Sequence, residues 1–150
     1  MKRIIARLLA IAIVLLTVGL NPSVSTAAGG SPKSDSLAKW CTNNGGVSGQ
    51  TTCTVTDAEV ADGKVLLVPP GRTLIVNGTL TNNGTIGSSG TIVNNGSIVN
   101  NGALGNNGIV DNCAGSIVNG GTIKNNGVIY SDVEIAGIGE YSGNETEDCP

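Results

Sequence analysis

The chain has no histidine and no phenylalanine, and only one tryptophan and two tyrosines among its 150 residues. The missing histidine removes the general base of Ser-His and Cys-His catalysis and the commonest metal ligand. A Ser–Lys pair is the nucleophile arrangement that composition leaves open. Cys41, Cys53, Cys113 and Cys149 include no closely spaced pair of the kind that holds structural zinc. Scarce aromatics bear on the fold. A globular domain normally fills its core with large rings, so the core here has to be thin and aliphatic. Basic charge is scarce too. Beyond residue 27, Lys33, Lys39, Lys64, Arg72 and Lys124 face all eleven acids, a net charge of −6. That excludes nucleic-acid binding through a basic face.

Long apolar runs are limited to one. Residues 8–20 follow Lys2, Arg3 and Arg7 and precede two small-residue cleavage patterns ending at Ala27 and Ala28. This is the order of a secretory signal peptide over residues 1–27. The run is shorter than the roughly 20 apolar residues of a spanning helix, so no membrane span is expected in the mature chain. The expected location is extracellular or at the cell surface. Four cysteines behind an export signal favour two disulfides. Three connectivities are possible. The favoured one joins Cys41 to Cys53 as a local loop and Cys113 to Cys149, tying the C-terminal segment to the repeats.

What the sequence does have is a repeat. From Gly78 it reads GTLTNN, GTIGSS, GTIVNN, GSIVNN, GALGNN, GIVDNCA, GSIVNG, GTIKNN, GVIYSD. One aliphatic slot recurs with it: Val68, Leu74, Leu80, Ile86, Ile92, Ile98, Leu104, Val110, Ile117, Ile123, Ile129 and Ile135. A six-residue period does not fit a helix, whose apolar face returns after three to four residues. It does fit an extended strand, because six is even and the same side turns inward each time. The expected fold is an all-β, parallel β-solenoid in which like residues stack at about 4.8 Å. The Asn pairs would then form amide ladders. Glycine leaves room where the wall bends and tolerates positive φ. Hairpins joined by Asn-Gly turns are the rival arrangement.

Gly87 and Gly105 fill the same slot eighteen residues apart, which favours three hexads per coil, a triangular section, over two. The extra residue at Asn112-Cys113-Ala114 is expected to bulge at a corner. Outside the repeats, residues 28–39 read as a disordered linker and 40–64 as a disulfide-bearing cap. Residues 65–138 are the solenoid and 139–150 an acidic tail.

The segment PPGRTLIVNGTLTNNGTI, residues 69–86, resembles Asn-Gly-rich parallel β-helix segments of microbial secreted and surface proteins. The resemblance covers residues 65–138. It implies the architecture and carries no single activity, because adhesins, filament components and carbohydrate-active enzymes share it. The hexad also resembles that of left-handed β-helix acyltransferases, whose catalysis depends on a histidine this chain lacks.

Candidate functional features are few. No cofactor is expected and no catalytic residue is assigned. Asp111, Asp132 and Glu134 are the acids within the repeats, with Asp111 one coil from Tyr130, and they read as solvated corner residues. Asn77, Asn83, Asn95 and Asn144 stand in glycosylation sequons, with Asn144 the favoured acceptor. An outward row, Thr79, Thr85, Thr91, Ser97, Ala103, Ile109, Ser116, Thr122 and Val128, offers hydroxyls to ice or a crystalline polysaccharide. Val93, Val99 and Val118 form a second outward row suited to self-association. The expected function is a structural or adhesive surface protein and not an enzyme. A glycan- or ice-binding module is the alternative, with a carbohydrate-active enzyme third.

Overall fold

The computed structural model describes residues 34–150. The expected signal peptide and residues 28–33 lie outside that range. Each hexad makes a four-residue strand and a two-residue corner. In Thr91–Asn94 the side chains of Ile92 and Asn94 are buried, while Thr91 and Val93 face outward and are half-buried. β-branched residues suit the strand, and Asn-Gly suits the corner.

A short strand, β1 (Ser34–Asp35), and a helix, α1 (Leu37–Asn43), precede an antiparallel pair, β2 (Val47–Ser48) with β3 (Thr52–Val55). The chain then winds. The first coil is β3, β4 (Ala58–Val60) and β5 (Val65–Val68). The second is β6 (Thr73–Val76), β7 (Thr79–Asn82) and β8 (Thr85–Ser88). The third is β9 (Thr91–Asn94), β10 (Ser97–Asn100) and β11 (Ala103–Asn106). The fourth is β12 (Ile109–Asp111), β13 (Ser116–Asn119) and β14 (Thr122–Asn125). The fifth holds β15 (Val128–Tyr130), a bridge at Ala136 and β16 (Glu140–Gly143).

Every pairing between coils is parallel, which excludes the hairpin arrangement. The first wall runs β2-β3-β6-β9-β12-β15, the second β4-β7-β10-β13 and the third β1-β5-β8-β11-β14-β16. The molecule is therefore a parallel β-solenoid of about five turns, with three hexads per coil. Thr81 pairs with Val99 and Val99 with Val118. From the second coil to the third the step is eighteen residues; it is longer, twenty to twenty-two, from the first to the second, and nineteen where the extra residue at Cys113 intervenes.

Three aliphatic columns fill the interior. Leu74, Ile92, Val110 and Ile129 stack behind the first wall, and Leu80, Ile98 and Ile117 behind the second. Leu66, Ile86, Leu104 and Ile123 stack behind the third. All are buried. Each such side chain contributes about 1.5–3 kcal/mol of burial.

Val68 is buried but belongs to another column. It pairs with Ser88, and Leu66 takes the aliphatic slot. The turn at Pro69-Pro70-Gly71-Arg72 holds two more residues than a corner does, which breaks the hexad phase there. Ile135, beside Ile117 at the last coil, is only half-buried because nothing further is stacked on it.

The boundaries also differ from those expected. Residues 34–39 of the linker form β1 and the start of α1, with Leu37 buried. The cap is smaller than expected, because β3 and β4 already pair in register with β6 and β7. The acidic C-terminal segment adds β16 to the third wall, with Tyr141 opposite Ile123.

Corner glycines act through close approach and not through positive φ. A Cβ on Gly102 or Gly108 would collide with the carbonyl oxygen of Gly84 or Gly90 one coil below. The positive-φ glycines are elsewhere, at 45, 63, 71, 137 and 143.

Candidate interaction surface

Two kinds of amide column line the corners. The inner ones are buried. Asn82 Nδ2 donates to Asn100 Oδ1 at 2.7 Å, and Asn100 Nδ2 to Asn119 Oδ1 at 2.8 Å. Asn94 repeats the bond to Asn112 at 2.6 Å, and Asn106 to Asn125 at 2.9 Å. Most inner Nδ2 groups also reach a carbonyl beyond the corner, as Asn82 does to Ala103 O at 2.9 Å, whereas Asn112 donates to Ser131 Oγ at 2.9 Å. The outer columns run with opposite polarity: Asn95 donates down to Asn77 at 3.0 Å and Asn101 to Asn83 at 2.9 Å. In the first coil, and at Val76 in the second, the inner slot holds Val55, Val60, Val68 and Val76 instead. The columns therefore start on apolar ground. Asn82 Oδ1 and Ser88 Oγ, directly above Val60 and Val68, are buried without a hydrogen-bond partner.

The outward residues form flat walls of distinct chemistry. The nine-residue row expected from the sequence does not share one face. Three hexads per coil distribute it over three: Thr79, Ser97 and Ser116 on the second wall, Thr85, Ala103 and Thr122 on the third, Thr91, Ile109 and Val128 on the first. The first wall continues its column downward through Thr73 and Thr52. Val93 likewise parts from Val99 and Val118, which lie side by side on the second wall next to Ser97 and Ser116. That wall carries no charge between Glu59 at one end and Glu134 at the other. On the third wall Gly87 and Gly105 are adjacent, between Leu67 and Lys124 in the same outward column.

Asp111 pairs with Tyr130, and Tyr130 with Glu147, in one outward column of the first wall. Asp111 Oδ1 accepts from Cys113 N at 3.2 Å, and Asp132 Oδ1 from Cys149 N at 2.9 Å. These two acids thus brace the backbone beside the Cys113–Cys149 disulfide. Glu134 lines the C-terminal hollow instead. The structure does not gather the three repeat acids into one cluster.

The two ends differ. At the N-terminal end α1 lays Leu37 and Trp40 over the first coil, and the Cys41–Cys53 bridge, Cα–Cα 5.7 Å, fastens it. At the C-terminal end Cys113–Cys149, Cα–Cα 5.8 Å, clamps the last coil. Among the described residues no helix covers that end. All four residues of β16 are exposed, as are Val133 and Ile138. A hollow of about 370 Å³ opens there between Asn119, Ile135, Tyr141, Glu134 and Glu145. Sequence reading missed Tyr141, although it lies six residues after Ile135 and so continues the period. Its hydroxyl accepts from Asn125 Nδ2 at 3.2 Å, which ends an inner ladder.

The four sequons are not equivalent. Asn83 Nδ2 donates to Glu59 at 2.8 Å, Asn95 Nδ2 to Asn77, and Asn144 Nδ2 to Gly127 O at 2.9 Å. Asn77 is exposed, and its Nδ2 has no partner among the described residues.

No family model, no curated protein and no solved structure matches the chain. Among the described residues no helix is long and apolar enough to cross a membrane. Two disulfides are compatible with an oxidising compartment.

Proposed function

We propose that this protein is a secreted or cell-surface structural module that adheres or assembles through its stacked walls and its C-terminal edge. The observation that carries this reading is the asymmetry of the ends. The first coil is covered by α1, whereas β16 is an outer strand with every residue exposed beside Ile138 and Val133. An uncovered strand edge is a template for another chain, and the stack below supplies a rigid base. The Asn-Gly-rich resemblance to microbial surface proteins points the same way. No reacting group is assigned, so the reading is of a non-enzymatic protein without cofactor. The test is to fractionate producing cells and image the purified protein. Envelope association or end-joined particles are expected. A monomer found wholly in the medium, unchanged in size at high concentration, overturns the reading.

A second reading, a glycan- or ice-binding module, is favoured by the second wall, whose strands β7, β10 and β13 carry no charge and place Thr79, Ser97 and Ser116 in one hydroxyl column. Thermal hysteresis and polysaccharide pull-down test it, and negative results in both remove it.

A further inference from the structure

We propose that Asn77-Gly78 is the step at which the folded protein deamidates. The chain contains eight Asn-Gly steps. In each, the glycine nitrogen can attack the preceding side-chain amide. A bond forms from that nitrogen to Cγ, the Cγ–Nδ2 bond breaks, and ammonia leaves carrying the glycine proton. Water then opens the cyclic imide to an aspartyl or isoaspartyl linkage. A glycine N–H held in a hydrogen bond resists this, because its proton is engaged and its position fixed.

Seven of the eight are held. Gly84, Gly102, Gly120 and Gly127 donate to backbone carbonyls of the coil below at 2.8–3.0 Å, as Gly102 does to Asn82. Gly45 donates to Thr42 O at 3.2 Å. Gly96 and Gly108 have no such carbonyl. They donate instead to the inner asparagine two residues back, Asn94 Oδ1 at 3.2 Å and Asn106 Oδ1 at 3.1 Å. At Gly78 the residue two back is Val76, which has no acceptor. The Gly78 N–H is left without a partner among the described residues, and so is Asn77 Nδ2, the leaving group. The apolar start of the inner column thus exposes one amide step to chemistry from which inner asparagines protect Gly96 and Gly108 and backbone carbonyls protect the other five. A glycan on Asn77 Nδ2 would block the same loss of ammonia, so the two modifications compete for one atom.

The experiment incubates the disulfide-intact protein in mildly alkaline buffer and maps peptides by mass spectrometry, with isoaspartate detection. Position 77 is expected to react about fivefold faster than any other Asn-Gly step, the factor that one net hydrogen bond of about 1 kcal/mol supplies. Val76→Asn, which gives Gly78 an acceptor, is expected to bring it down to the rate of Asn95. In denatured, reduced protein the preference for position 77 should vanish. Native protein in which another step reacts as fast as position 77 overturns the proposal. So does a preference for position 77 that persists on denaturation, because sequence alone would then explain it. If Val76→Asn does not fold, the native-against-denatured comparison decides by itself.

Discussion

Asn82 and Asn100 sit eighteen residues apart and share a 2.7 Å amide bond, yet the Oδ1 of Asn82 has no partner while that of Asn100 accepts. The difference is what lies beneath: Val60 under Asn82, and Asn82 under Asn100. A buried ladder is strongest in its middle, where every rung is satisfied on both sides. Asn100→Ala therefore orphans a donor below and an acceptor above. It is expected to lower stability by about 2–6 kcal/mol, as one to three for each of two lost buried partners implies. Urea denaturation measures it, and a change within error of wild type would show that the ladder contributes little.

The aliphatic columns are expected to dominate stability. Ile98→Ala empties a fully buried site between Leu80 and Ile117 and should cost about 2–5 kcal/mol. Val99→Ala, one residue on and facing outward, should stay within about 0.5 kcal/mol. Similar losses at both positions would contradict the inward–outward alternation.

Two glycines three residues apart should respond oppositely. Gly102→Ala places a methyl on the Gly84 carbonyl and is expected to destabilise the stack by several kcal/mol or prevent folding. Gly105→Ala meets nothing closer than the Ile86 carbonyl at 3.9 Å. It should be neutral or gain about 0.4–1 kcal/mol from a stiffer unfolded chain. Thermal unfolding separates the two.

The Cys113–Cys149 bridge closes a separation of 36 residues. Replacing both cysteines by serine should cost about 2–4 kcal/mol, lost locally. Hydrogen exchange is expected to rise at Glu140–Gly143 while Ile86, Leu104 and Ile92 amides stay protected. Uniform loss across all coils would show that the last coil is not a separable unit.

The solenoid, its inward residues and both disulfides were legible because each rests on spacing. Twelve aliphatics in one phase leave few ways to bury them. What spacing did not convey was any departure from it. Val68 lies six residues before Leu74, but the diproline turn shifts the phase, so position alone misplaces it. β3 and β4 lack the Asn-Gly signature because the first coil faces α1 and needs valine where later coils use asparagine. The hydroxyl row looked continuous because a linear sequence does not record which of three walls a residue occupies. Tyr141 kept the period but, as an aromatic among acids, did not resemble a core residue.

The most direct measurement is a pair of backbone NOEs on the isotopically labelled protein. Thr81 and Val99, eighteen apart, lie on adjacent strands of the second wall, whereas Val93, twelve from Thr81, lies on the first. A cross-peak between Thr81 and Val99 with none between Thr81 and Val93 is expected. The reverse pattern would mean two hexads per coil, and the walls and columns described here would not exist.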